Sequence, residues 1–192
     1  MTSDGPNGHD SKNHDRRFHG QPERLRSAER LALLDVERVV SLSLEGLEAH
    51  SALDVGCGTG LFTEAFINKG VDTTGIDVNA DMLAIARDEV PSAQFREAPA
   101  EKLPFNAGVF DLVFLGHLLH ETDEPLEALK EAHRVAIARV VVLEWPYRHE
   151  APGPPLAHRL RSEVIEDLAH QAGFSMVERI QLKHVDLFRL RP

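Results

Sequence analysis

The sequence predicts an α/β fold, a mostly parallel sheet covered by helices on both faces. Three observations predict it. Strand-like apolar runs alternate with amphipathic helical segments along most of the 192 residues, the pattern of a parallel sheet with helical crossovers. Val109–Leu115 and Val140–Leu143 are apolar nearly throughout, as strands buried on both faces are. Between Ala52 and Phe62 an apolar run ends in glycines at 56, 58 and 60, and a helical stripe follows. That is the outline of a strand, a tight turn and a helix start.

Residues 1–20 are polar and aperiodic and predict a mobile tail. His9, His14 and His19 have no helical pattern to gather them and read as solvated. Residues 21–46 predict two short helices. Leu25, Leu31, Leu33 and Leu34 mark the first; Asp35 is placed to cap the second, which carries Val36, Val39, Val40 and Leu44 before Gly46. After the glycine turn, Leu61, Phe62, Ala65 and Phe66 form a helical stripe ending at Lys69-Gly70. Val71–Ile76 reads as the second strand, and Asn79 caps a helix carrying Met82, Ile85 and Ala86. Ala93–Glu97 is the third strand, residues 98–108 a loop, and Val109–Leu115 the fourth strand. Asp123 with Pro125 opens a helix through Arg134. Val140–Leu143 is the fifth strand, Trp145–Pro155 a proline-rich loop, and Ser162–Ala172 a helix ended by Gly173. Phe174–Leu182 and His184–Leu190 close the chain without a helix between them, so the last strand is antiparallel to its neighbour. The expected unit is a single domain over residues 21–192, with 21–46 as a helical lead-in.

Composition narrows the function. Apolar residues make up 42% and charged residues 27%, ordinary for a soluble globular protein. No apolar run approaches the ~20 residues that cross a membrane, and the N-terminus shows no secretory segment, so a cytoplasmic location is expected. A net charge of −10 without a Lys/Arg block argues against nucleic acid, whose binding rests on phosphate neutralisation. The single cysteine, Cys57, excludes an internal disulfide and a cysteine-rich metal centre; no metal is expected. Asp111, at a strand start, reads as a sheet anchor.

Chemistry concentrates at the glycine turn. Gly56, Gly58 and Gly60 allow positive φ and close approach of a ligand, and the unpaired N–H groups of the following helix favour an anion. A dinucleotide fingerprint needs Gly-x-Gly-x-x-Gly, but Leu61 stands where the third glycine belongs. Read from Gly58, the frame ends on Thr63.

The motifs Leu53-Asp54-Val55-Gly56-Cys57-Gly58-Thr59-Gly60, Gly75-Ile76-Asp77, Ala100-Glu101-Lys102-Leu103-Pro104-Phe105 and Phe110-Asp111-Leu112-Val113 occur in this order. They are followed by Leu118-Leu119-His120-Glu121-Thr122-Asp123-Glu124-Pro125 and Glu131-Ala132-His133-Arg134-Val135. In these, over about residues 50–190, the chain resembles the class I S-adenosylmethionine-dependent methyltransferases, above all the small single-domain bacterial type. The resemblance implies a Rossmann-like methyltransferase fold with seven strands in the order 3-2-1-4-5-7-6 and the last antiparallel. It implies S-adenosylmethionine as methyl donor and S-adenosylhomocysteine as product, by in-line displacement.

The resemblance also assigns expected roles. The loop of Gly56, Cys57, Gly58 and Gly60 receives the methionine carboxylate, Asp54 the ammonium, and Asp77 the ribose hydroxyls. Val78 and Met82 contact adenine, the Ala100 N–H and Glu101 face the same ring, and Leu115 or Gly116 lies beside the methionine arm. Pro99 stands where relatives often carry an aspartate for the adenine amino group, and residues 135–139 replace a Pro-Gly-Gly turn. His117 and His120 follow the fourth strand, as catalytic base or as structural or substrate-lining side chains. Glu144, Trp145, Tyr147 and Arg148 follow the fifth, as substrate wall or as a packed loop. The expected acceptor is a small organic molecule, with protein second; the protein is expected as a monomer or homodimer. A nicotinamide-dependent oxidoreductase and a non-catalytic cofactor-binding domain stand as rival readings.

Overall fold

The computed structural model describes residues 22–192; the expected tail, with His9, His14 and His19, lies outside the described residues. A 3-10 turn, Pro22–Arg26, leads into α1 (Ala28–Leu34) and α2 (Val36–Leu44). Then follow β1 (Ser51–Val55), α3 (Leu61–Ile67), β2 (Asp72–Asp77), α4 (Ala80–Glu89), β3 (Gln94–Glu97) and β4 (Phe110–Gly116). The second half holds α5 (Pro125–Val135), β5 (Ala136–Glu144), α6 (Ser162–Gln171), β6 (Met176–Gln181) and β7 (Asp186–Arg191). Seven strands form one sheet in the order β3-β2-β1-β4-β5-β7-β6. Strands β1 to β5 pair in parallel, and β7 runs antiparallel to both β5 and β6.

Side-chain alternation on the central strands divides the core into two layers. Leu53, Val113, Leu115, Val140 and Val142 pack under α5 and α6, against Leu129, Ala132 and Ile165. Ala52, Leu112, Phe114, Val141 and Leu143 face the other way, against Val39, Val40, Phe62 and Phe66 of α2 and α3. Phe114 is central to the second layer, its ring centroid 4.7 Å from that of Phe62 and 5.3 Å from that of Phe66.

Polar anchors set the strand register and one wall of the site. Asp111 Oδ2 accepts from the N–H of His50 at 2.9 Å and from the N–H and hydroxyl of Ser51 at 3.0 Å each, binding β4 to β1 as expected of a sheet anchor. Glu131 accepts the Leu103 N–H at 2.7 Å, and Arg134 donates to the carbonyls of Phe105 and Leu103 at 2.8 and 3.1 Å. Two residues of α5 thereby fix the loop after β3.

Three local expectations are corrected. Asp35 makes no side-chain cap to α2; it sits at φ 50 and its N–H closes α1 on Leu31 and Ala32. Capping from the side chain needs an extended backbone, which a left-handed residue does not have. At α5 the N-cap is Glu124 rather than Asp123, and the Thr122 hydroxyl accepts the Glu124 N–H at 3.4 Å. Residues 136–139 are not a link but the start of β5. Ala136 ends α5 and pairs with Phe110, and Arg139 pairs with Leu112. Between those pairs β5 carries one residue more than β4, a bulge that absorbs the missing turn.

Replacing the fully buried Phe114 by alanine should cost about 3–5 kcal/mol, the range for emptying an aromatic core position. A urea denaturation series on the purified variant measures this; a loss under about 1 kcal/mol would contradict the central place given to this ring.

Candidate functional site

At the carboxyl ends of β1, β2 and β4 lies a cavity of about 440 Å³. Its floor is the glycine loop with Gly56, Cys57, Gly58 and Thr59; one side carries Asp77, Val78, Asn79 and Met82, and another Ala98, Pro99, Ala100 and Glu101. Gly116, His117, Leu118 and the stretch Glu121–Glu124 close it beyond β4, and Leu25, Arg30 and Leu34 close it from the N-terminal lead-in.

The loop takes left-handed φ at all three glycines, 73, 53 and 79°. A Cβ on Gly56 would stand 2.9 Å from Leu118 Cδ1, and at φ 73 any side chain here is strained. On Gly60 a Cβ would press on Phe95 at 3.2 Å and Val90 at 3.3 Å. Gly60 is therefore a packing glycine between α3 and α4 and is not on the cavity wall.

Part of the loop's set of amides is occupied within the chain. Gly56 and Cys57 both donate to the Ile76 carbonyl at 2.8 and 2.9 Å, and Gly60 donates to Cys57 at 2.9 Å. Gly58 donates to Asp77 Oδ2 at 2.8 Å. Four amides of the turn, those of Gly56, Cys57, Gly58 and Gly60, are thus engaged within the chain. The Thr59 hydroxyl on the cavity wall is buried and has no partner among the described residues.

Asp77, at the end of β2, is half-buried, and its second oxygen accepts the Asn79 N–H at 2.9 Å. Each carboxylate oxygen keeps further lone-pair capacity toward the cavity. Asn79 caps α4 through the N–H groups of Asp81 and Met82, as expected. Asp54 does not reach the cavity wall. It is 2% exposed, accepts the Thr63 hydroxyl at 2.7 Å, and its carboxyl is pushed up to about 7. Burial is the main cause, Thr63 opposes it, and the Asp77 charge adds to it. The Cys57 thiol is raised further, by burial and then by Asp54 and Asp77; it is a packing group, not a thiolate.

Beyond β4 the two histidines separate. His120 is buried off the cavity wall, with Nδ1 2.8 Å from Glu144 Oε2. Burial pulls its pKa down, but Glu144 and then Glu121 outweigh it and the net shift is upward from the ordinary imidazole value. Glu144 also accepts the N–H groups of His120 and Trp145, at 3.2 and 3.3 Å. The pair thus laces the end of β4 to the end of β5. Glu144, expected on the substrate wall, is spent on this brace. His117 alone of the two histidines stands on the cavity wall. It has φ 58, and its ring stacks on Trp145 with centroids 4.5 Å apart.

The remaining expected wall residues lie elsewhere. Trp145 is buried behind His117, Tyr147 stacks under Arg161 at the surface, and Arg148 pairs with Glu150. Leu115 is fully buried in the core. Their loop is closed by Arg159, which donates to the carbonyls of Pro146, Arg148, Glu150, Pro152 and Pro154. Sequence reasoning missed Arg30, Thr59, Leu118 and the Glu121–Glu124 stretch as wall residues. Only Arg30 lacks any local signal; the others fall inside motifs already singled out.

Comparison with known proteins agrees with this geometry. The "Methyltransferase domain" family model matches residues 53–142. An uncharacterised methyltransferase of Synechocystis is 34% identical over 173 residues, covering 78% of this chain and 81% of that protein. A demethylmenaquinone methyltransferase of Chlorobaculum tepidum is 38% identical over 93 residues, but the matched part spans 48% of this chain and only 38% of that enzyme. In fold, the chain is similar to a crystal structure of an S-adenosylmethionine-dependent methyltransferase from Aquifex aeolicus. That similarity has a TM-score of 0.79 at 24% identity, over 88% of this chain and 96% of the other. With the strand order, the glycine turn and Asp77 all in place, the chain belongs to the class I S-adenosylmethionine-dependent methyltransferase family.

Proposed function

We propose that this chain transfers a methyl group from S-adenosylmethionine to a small, mainly apolar ring compound. The observation that carries the reading is the continuity of one cavity, from Asp77 and the glycine loop at one end to His117, Leu118 and Leu34 at the other. Its volume of about 440 Å³ lies in the range of small-molecule sites. When bound, S-adenosylmethionine supplies a methyl group already activated on a cationic sulfur.

The residues fit that group. Asp77 has acceptor capacity for ribose hydroxyls, and the orphaned Thr59 hydroxyl is a donor for a carboxylate. Val78 and Met82 offer apolar surface to a purine, and the Ala100 N–H lies on the same wall. Pro99 brings no acceptor to the adenine edge. Glu101 is on the wall but receives the Thr122 hydroxyl, while Glu97 is exposed and off it. The carboxylates of Asp77, Glu101, Glu121, Asp123 and Glu124 make the wall acidic, which favours a cationic ligand. Asp54 acts from behind the loop, through Thr63, on how firmly the turn is held.

The relative from Chlorobaculum acts, by its name, on a demethylmenaquinone, and this supports a ring compound as acceptor. Because only part of that enzyme is matched, the acceptor is carried as a class. The 3-10 turn and α1 reach the acceptor end through Leu25, Arg30 and Leu34, and positioning of the acceptor against the activated methyl contributes much of the rate.

Calorimetry tests the reading. S-adenosylmethionine and S-adenosylhomocysteine should both bind, and failure of both at millimolar concentration would overturn it. Binding without methylation of any ring compound would favour a non-catalytic domain. Asp77→Ala should weaken S-adenosylhomocysteine by ~1.5–3 kcal/mol for each hydrogen bond lost to the charged group, with circular dichroism verifying the fold. Unchanged affinity would remove Asp77 from the site. A pH series tests Asp54. Between the ordinary carboxylate range and about 7, the folded state holds a proton that the unfolded chain has released. Stability should therefore fall as pH rises through that window and level off above it. Asp54→Asn should flatten this fall in urea titrations at about pH 5 and about pH 8; an unaltered pH profile would show that Asp54 ionises normally.

A further inference from the structure

Two side chains at the acceptor end of the cavity have polar atoms with no hydrogen-bond partner among the described residues. Both ring nitrogens of His117 are closed to solvent and make no hydrogen bond. The ring is held in place by other means. Its residue is left-handed at φ 58, its N–H donates to the Leu143 carbonyl at 2.7 Å, and Trp145 lies against it at an interplanar angle of 26°. A desolvated imidazole without a partner is costly, and a strained backbone at a cavity adds to the cost. The arrangement is that of a group kept for a ligand.

The second side chain is Arg30, on α1. Its guanidinium carbon stands 5.0 Å from the centroid of the same Trp145 ring. Among the described residues its guanidinium makes no hydrogen bond and no ion pair within 4 Å, although it offers five donors; the charge that acts on it is that of Glu121. Arg26, one turn earlier, is the contrast. It donates to the Thr59 carbonyl at 3.0 Å and pairs with Glu64 and Glu89, tying the lead-in to the glycine loop and its surroundings. Arg30 has no such task. It is the one cation among the described residues of the cavity wall.

We propose that Arg30 and His117, held on the common support of Trp145, form an acceptor subsite for an acidic aromatic or enolic hydroxyl. The inference rests on the methyl-transfer reading above and narrows its ring compound to one methylated on oxygen. The acceptor's O–H bond breaks as its proton passes to a His117 ring nitrogen. The electron pair stays on the oxygen, which takes hydrogen bonds from Arg30 and is left as the nucleophile. Burial, then the charges of Arg30 and His120, keep His117 neutral before the acceptor arrives, so one ring nitrogen offers a lone pair. The other charged groups around the subsite are His120 and Glu121 after β4 and Glu144 and Arg159 after β5. An oxyanion set between Arg30 and the protonated ring offsets the repulsion between them.

The probe is 4-nitrophenol, whose anion absorbs apart from the neutral form, with 4-nitroanisole as the ether that cannot ionise. Both are titrated into the full chain, with and without S-adenosylhomocysteine. Bound 4-nitrophenol should show the anion's absorbance at a lower pH than the free compound, and 4-nitroanisole should bind more weakly. Arg30→Gln should abolish the spectral shift and weaken 4-nitrophenol about tenfold to a hundredfold, while leaving S-adenosylhomocysteine affinity unchanged. Arg30→Lys should retain part of the shift, and circular dichroism of both variants verifies the fold. Equal binding of the two compounds, no binding of either, or a shift that survives in Arg30→Gln would overturn the subsite. So would an Arg30→Gln variant that loses S-adenosylhomocysteine instead, since Arg30 would then hold the cofactor's carboxylate. A protein that shifts 4-nitrophenol yet ignores S-adenosylhomocysteine would overturn the methyl-transfer reading and keep the subsite.

Discussion

The folding of the glycine turn back onto the end of β2 is the constraint on which the site depends. Two amides converge on the Ile76 carbonyl and a third on the Asp77 carboxylate. This is possible only because the backbone turns left-handed at Gly56, Gly58 and Gly60, where a side chain would be strained. The same bonds that shape the floor of the cavity orient the carboxylate on its wall. Floor and wall are therefore one structure, and a disturbance of either reaches the other.

A second level of organisation is built around Trp145. The indole is buried and supports His117 at 4.5 Å and Arg30 at 5.0 Å, bringing together β4, β5 and the N-terminal lead-in. Arg159 lies over the same ring at 5.9 Å and gathers the carbonyls of the loop around it. The His120–Glu144 pair braces the strand ends from behind. Most of the charged groups near the acceptor end are thus occupied in holding a shape. Arg30 and the neutral His117 make no side-chain hydrogen bond among the described residues.

The family match takes in the glycine loop, Asp77 and the residues after β4, but not every part of the cavity wall. The matched segment of the family ends at residue 142, before Trp145 and the loop that Arg159 closes. Leu25, Arg30 and Leu34 precede it. These two ends of the domain meet over the sheet edge only in the folded chain.

The sequence by itself determined the order of elements, the strand order through its motifs, the glycine turn, the Asn79 cap, the Asp111 anchor and the candidacy of Asp77. These are local properties: hydrophobic period, turn chemistry and residue spacing act within a few residues of chain. Asp35 and residues 136–139 escaped even that reading, because αL geometry and a bulge are choices between local alternatives that neighbouring elements settle. Only the tertiary structure decided that four of the loop amides bond within the chain, that Asp54 lies behind the cavity, and that His117 rather than His120 lines it. It alone brought Arg30 to Trp145. The physical reason is the same in each case. A polar group's role depends on which partner reaches it first, and for these residues the partners come from distant parts of the chain, through packing that no periodicity records.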